Sequence, residues 1–155
     1  MNFGKKTFSI FFLTLFFLTL FFYFFKIKSE QNKIIDLKPI TINLITNVHP
    51  KLNWNFTSLD SKILVKPGDV TNIEYMVENL DQESTTGIAT FAYYPSEFGK
   101  YISKINCFCF DAQSLKNKEK NKFTLVILID PAVTKDSKTK DIKEVTIQFT
   151  FFDYK

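Results

Sequence analysis

Asn72-Ile73-Glu74-Tyr75-Met76-Val77-Glu78 decides the fold class, because Ile73, Tyr75 and Val77 alternate with Asn72, Glu74, Met76 and Glu78 at a period of two. Successive side chains of an extended strand point to opposite faces, so this alternation describes a strand with one dry face and one wet face. The same period recurs on both sides. Upstream, Ile40, Ile42 and Leu44 alternate with Thr41 and Asn43, and residues 47–50 break the pattern. Leu52, Trp54 and Phe56 then alternate with Asn53 and Asn55, and Ile63 and Val65 run into the turn Pro67-Gly68-Asp69. Downstream, residues 88–94 form a further strand closed by Pro95, and residues 101–110 another. Residues 123–129 are apolar on both faces, the mark of a central strand, and Val145, Ile147, Phe149 and Phe151 alternate with Thr146, Gln148 and Thr150. Residues 79–86, 116–122 and 135–140 read as polar loops. Short strands at this spacing, with no helical period among them, predict an all-β antiparallel β-sandwich. About 120 residues suffice for one core between two sheets.

The segment before this domain has a different character. From Thr7 to Phe25 there is no charge, and Lys5, Lys6, Lys26 and Lys28 flank the run. Such a run spans about 28 Å as a helix, close to the ~30 Å hydrocarbon core of a bilayer. It exceeds the apolar core of a cleavable signal peptide and no small-residue cleavage site follows, so a permanent single-pass anchor is expected. The expected organisation is an anchor over 1–28 with its membrane helix at about 7–25, a stalk over 29–38, and a β-sandwich domain over 39–155. The folded part is everything after the anchor, and since long domains translocate largely regardless of flanking charge, it is expected on the non-cytoplasmic side of the membrane.

Composition narrows the function classes. Every acidic residue and sixteen of the lysines lie beyond Lys28, so the net charge of +4 belongs to the anchor and the domain itself is neutral. Nucleic-acid binding would require a basic domain. There is no arginine, and with abundant Phe, Ile and Asn this reads as the coding bias of an AT-rich genome, bacterial or organellar. The lack of arginine also argues against a mitochondrial transit peptide, which would be arginine-rich and amphipathic.

Enzyme chemistry finds little support. The one histidine, His49, precedes Pro50 and reads as a turn residue. No glycine-rich phosphate loop is present, and Asp136 and Asp141 sit in lysine-rich loops where solvation explains them. Asn55-Phe56-Thr57 matches a glycosylation acceptor, but Phe56 reads as a buried strand residue. The remaining chemistry lies in Ile105-Asn106-Cys107-Phe108-Cys109-Phe110, which holds both cysteines. In an extended strand Cys107 and Cys109 would share one face and Phe108 and Phe110 the other. Two buried small hydrophobes are one reading of the pair. A second is an internal disulfide, which across an extended Cys-x-Cys would be strained and easily reduced. Zinc would want four ligands, requiring two chains to pool cysteines, whereas soft Cu(I) accepts two or three thiolates. Copper is the favoured ligand.

Around these cysteines the chain resembles the CtaG family of cytochrome c oxidase assembly proteins. The resemblance runs through Lys66-Pro67-Gly68-Asp69, Thr86-Gly87-Ile88-Ala89-Thr90 and Tyr94-Pro95. It continues through residues 99–110, Ile129-Asp130-Pro131, Asp141-Ile142 and Phe149-Thr150-Phe151-Phe152. The resemblance implies an immunoglobulin-like sandwich tethered to the bacterial plasma membrane or the mitochondrial inner membrane, facing the periplasm or the intermembrane space. It implies a non-enzymatic copper chaperone, a homodimer in its working form, that receives Cu(I) from an upstream copper donor protein. Its Cys107 and Cys109 would carry the metal to the copper B centre of oxidase subunit I. A thiol redox module that keeps oxidase cysteines or copper partners reduced is the alternative. Family members commonly carry another cysteine shortly after the anchor, and residues 26–38 here have neither cysteine nor glycine. Phe123 stands where a methionine is common in the family.

Overall fold

The computed structural model describes the backbone of residues 3–35 and 37–154, with helix side chains described over 13–29. The chain divides into two compact units, residues 1–37 and 38–155.

The first unit is helix α1, Phe3–Ile35. It continues without a break through the residues expected to form a stalk as far as Ile35, and Pro39 disfavours helix at the residue before it. Phe16, Phe17, Phe21, Phe22, Phe24 and Phe25 project around α1 and are all exposed. Among the described residues no helix is long and apolar enough to cross a membrane. The expected span over 7–25 falls partly outside them, since the side chains of residues 7–12 are not among those described.

The second unit consists of two packed sheets. Its strands are β1 (Ile40–Val48), β2 (Trp54–Ser58), β3 (Lys62–Val65), β4 (Val70–Asn79), β5 (Thr85–Tyr94), β6 (Ile102–Asn106), β7 (Gln113–Leu115), β8 (Lys120–Ile129) and β9 (Glu144–Asp153). One sheet has the order β3-β1-β9-β5-β7 and the other β2-β4-β8-β6. Side chains from both inner faces form the core: Ile42, Ile147, Phe149 and Phe151 from the first sheet, and Ile73, Tyr75, Val77, Leu125 and Ile127 from the second. β8 lies inside its sheet, as its two apolar faces predict, and its outward residues Thr124, Val126 and Leu128 are half-buried.

The sandwich departs from the expected antiparallel arrangement at one seam. β1 and β9 pair in parallel, Thr41 with Glu144 through Val48 with Phe151. A parallel pair needs a long crossover in place of a hairpin. Here nearly the whole domain forms that connection, which places no constraint on local sequence. The strand expected over 101–110 also stops early, at Asn106, with a register shift between Lys104 and Asn106. In contrast, β8 begins inside the loop expected over 116–122. Lys120 and Lys122 lie on its outer face and pair with Glu78 at 3.3 Å and Glu74 at 2.6 Å on β4.

Two polar clusters fix the loops that join the sheets. Asn79 is fully buried, and its Nδ2 donates to the carbonyls of Glu83, Leu115 and Lys116 at 2.8, 3.0 and 3.1 Å. Its Oδ1 accepts from the backbone N–H of Asp81 at 2.9 Å. Asp136 accepts from Lys100 Nζ at 2.8 Å, from the Tyr101 hydroxyl at 2.7 Å and from the backbone N–H of Lys138 at 2.9 Å. It is therefore a structural tie, not the solvated charge its sequence context suggests.

Replacing Asn79 with Ala leaves buried carbonyls without donors and is expected to lower unfolding free energy by about 2–3 kcal/mol, measured by urea titration. Asp136 gives a second expectation. The hydrogen bonds from Lys100, the Lys138 backbone and Tyr101 hold its carboxyl well below the usual carboxylate range. A depressed folded value contributes stability above the unfolded value of 3.8, lost as pH falls below it. Thermal unfolding midpoints followed by circular dichroism should drop on acidification through that range, and Asp136→Asn should flatten the drop.

Candidate metal centre

Edge strand β6 delivers the two cysteines. Cys107 is the last extended residue, and Phe108–Phe110 then curl into a single 3-10 turn. The turn is closed by the Phe110 N–H donating to the Cys107 carbonyl at 3.2 Å. Gln113 Nε2 braces it by donating to the carbonyls of Phe108 at 3.0 Å and Asp111 at 3.2 Å. Phe108 explains why the strand bends. Its ring enters the core among Phe56, Tyr75, Phe123, Phe149 and Phe151, with centroid separations of 5.8, 5.4, 5.1, 5.0 and 5.8 Å. Burying a phenylalanine contributes about 1.5–3 kcal/mol, with more from favourable ring pairs, enough to pull an edge segment out of its ladder.

This geometry corrects the strand reading of the pair. Phe108 and Phe110 do not share a face: Phe108 is buried and Phe110 is 57% exposed. The cysteines are also unequal. Cys107 is 4% exposed and belongs to the core cluster, whereas Cys109 is half-buried against its edge. Their Cα atoms are 5.0 Å apart and their sulfurs are joined as a disulfide. That separation lies well inside the ~4.4–6.8 Å range of disulfides, because the turn shortens what an extended chain would hold apart. The backbone N–H of Cys109 donates to Cys107 Sγ at 3.2 Å.

The surroundings are apolar, with one buried hydroxyl and one cation. Tyr75 Oη is buried without a hydrogen-bond partner among the described residues, and burial pushes its ionisation well above the ordinary phenol value. Lys104 places its ammonium over the Phe91 ring, and its Nζ lies 6.0 Å from the centroid of Phe110. Loss of water around Lys104 lowers its pKa.

Other donors lie elsewhere. His49 sits in a turn, where Nδ1 accepts from the Lys51 N–H at 3.3 Å and the ring faces Phe152 at 5.4 Å. Asn55 is exposed on β2 while Phe56 is buried, as the alternation requires. Among the described residues no group of three or more His, Cys, Asp or Glu side chains converges. Among the described residues the donor set at this turn is therefore two sulfurs. Once reduced, they fit a soft ion of low coordination number and fall short of a closed four-ligand zinc site. Sequence reasoning found both cysteines but missed Phe108 as their anchor and Gln113 as their brace. The buried-exposed split between Phe108 and Phe110 has no signature in a Cys-Phe-Cys-Phe string.

Comparison with known proteins places this geometry in a family. The family model described as cytochrome c oxidase assembly protein CtaG/Cox11 matches residues 23–153. The protein named cytochrome c oxidase assembly protein CtaG from Sinorhizobium fredii is 34% identical over 127 residues, covering 82% of this chain and 63% of that protein. The protein of the same name from Brucella ovis gives the same 34%, 82% and 63%. Its namesake from Rhizobium etli is 33% identical over 82% of this chain and 62% of its own length. The matched region thus spans a little under two thirds of these relatives. On the family match over residues 23–153, the chain belongs to the CtaG/Cox11 family of cytochrome c oxidase assembly proteins.

Proposed function

We propose that this chain is a membrane-anchored, non-catalytic Cu(I) carrier for cytochrome c oxidase assembly. Cys107 and Cys109 hold the ion as thiolates and pass it to the copper B site of oxidase subunit I. The observation that carries this reading is the turn itself, which presents two sulfurs on a scaffold of aromatic packing, with no third His, Cys, Asp or Glu converging on them among the described residues. A two-sulfur set suits Cu(I) and leaves coordination positions for an incoming ligand, which stepwise transfer requires. The names of the relatives supply the oxidase assembly context. The domain is an immunoglobulin-like sandwich that receives copper from an upstream donor protein and works as a homodimer.

The apolar residues around α1 support the membrane anchor, since a helix apolar on every side is stable in lipid or inside a large core. The anchor occupies residues 1–28 and residues 29–38 link it to the domain at 39–155. The protein sits in the bacterial plasma membrane with its domain in the periplasm, or in the mitochondrial inner membrane with its domain in the intermembrane space. A second reading, a thiol redox module, is favoured by the Cys107–Cys109 disulfide.

The full chain in detergent, with its cysteines reduced, is expected to hold about one Cu(I) per chain against a moderate chelator, as a soft thiolate pair should. Cys107→Ser/Cys109→Ser should lose it, and the oxidised chain should bind none until reduced. Light scattering should show dimers on loading. Reduced, accessible thiols that take no copper would sink the carrier reading and leave the redox one. Phe108→Ala is expected to cost about 3–5 kcal/mol in urea unfolding. It should also weaken copper retention although both sulfurs remain, and Phe108→Leu should recover part of each.

A further inference from the structure

A disulfide and a copper thiolate pair are mutually exclusive states of the same two sulfurs, so the carrier must be opened by a reductant before it can load. We infer that an external thiol attacks at Cys109 Sγ and that Cys107 is the sulfur that leaves. This rests on the carrier reading for its purpose, but not for its chemistry.

Three features of the turn give the bond a direction. Access comes first. An attacking thiolate must reach the far side of the sulfur it joins, in line with the bond that breaks. Cys107 is 4% exposed and sits within the core cluster, so its far side is closed by packed side chains. Cys109 is half-buried, and its neighbours Phe110 and Asp111 are exposed, so an approach to its sulfur is open. Charge comes second. The departing sulfur acquires the electron pair, and a donor aimed at it lowers the barrier. Cys107 Sγ already accepts the Cys109 N–H at 3.2 Å. Rigidity comes third. Phe108 in the core, and Gln113 donating to the Phe108 carbonyl at 3.0 Å, keep the two sulfurs from exchanging places during the reaction.

The chemistry balances with two external thiols, supplied singly or by one dithiol reductant. The first thiolate attacks Cys109 Sγ; a bond forms between them, the Cys107–Cys109 bond breaks, and the electron pair remains on Cys107 as a thiolate. A second thiolate then attacks the reductant's sulfur in the mixed disulfide and releases Cys109 as a thiolate. The reductant leaves as its own disulfide, two electrons have passed to the protein, and both sulfurs are ready for Cu(I). Attack in the opposite sense would need entry through the core and would leave the charge on a sulfur without that donor.

The test uses the oxidised full chain in detergent with reduced glutathione as the probe, quenched in acid within seconds and capped with N-ethylmaleimide. Fragmentation of the peptide Ile105–Lys116 separates the two positions, because Phe108 lies between them. Glutathione on Cys109 with maleimide on Cys107 is expected to exceed the reverse by roughly tenfold or more. Equal labelling, or glutathione mainly on Cys107, would overturn the direction. A second measurement avoids reliance on one trapped species. The lone thiol of Cys107→Ser should react with an aromatic disulfide reagent about tenfold faster than the lone thiol of Cys109→Ser. Equal rates in two folded variants would also overturn it. Cu(I) binding by the fully reduced wild type is measured separately, so its failure would remove the carrier reading while leaving the attack direction standing or falling on its own labelling.

Discussion

The packing of one phenylalanine ring organises both the core and the site. Phe108 stands within 6 Å of five aromatic centroids drawn from β2, β4, β8 and β9, so it touches both sheets at once. Because dense interiors tolerate little displacement, a ring held on so many sides fixes its own backbone as firmly as a strand would. The cysteines on either side inherit that firmness. One is drawn into the core and the other is left at its edge. The sandwich thus supplies the position of both sulfurs.

Polar ties complement this apolar one at the loops. Asn79 collects three carbonyls from two connections, and Asp136 gathers Lys100, Tyr101 and its own loop around one carboxylate. The two differ in how they respond to conditions. Asn79 is neutral and insensitive to pH, whereas the Asp136 cluster depends on a charge and weakens in acid. Neither lies in the cysteine turn, so the loops can be perturbed without directly altering the sulfur geometry.

Much of this was legible in the sequence, and the limits have physical causes. Alternation identified β1, β4 and β9 because most of their buried positions are apolar and most of the residues between them are polar. β7 was missed since three residues, Gln113 to Leu115, are too few to show a period. The start of β8 was misread because Lys120 and Lys122 looked like a solvated loop, although each forms an ion pair with a glutamate on β4. The parallel β1–β9 seam left no local trace, being a pairing between residues about a hundred positions apart. At the site, the identity of the sulfurs was plain and their inequality was not. Inequality arises from which neighbouring ring finds room in the core, a property of partners distant in sequence.

The central place of β9 has a consequence for how the protein is made. This last strand lies between β1 and β5, and its Phe149 and Phe151 form two walls around Phe108. Residues emerging from a ribosome or a translocation channel in order would leave β1 and β5 without their shared neighbour until the final stretch arrived. The cysteines would leave the channel some forty positions earlier, before their anchoring pocket existed. Sulfur geometry is therefore set only once β9 has emerged and paired with β1 and β5. A nascent chain exposes two unconstrained thiols, and only the completed domain turns them into an ordered pair.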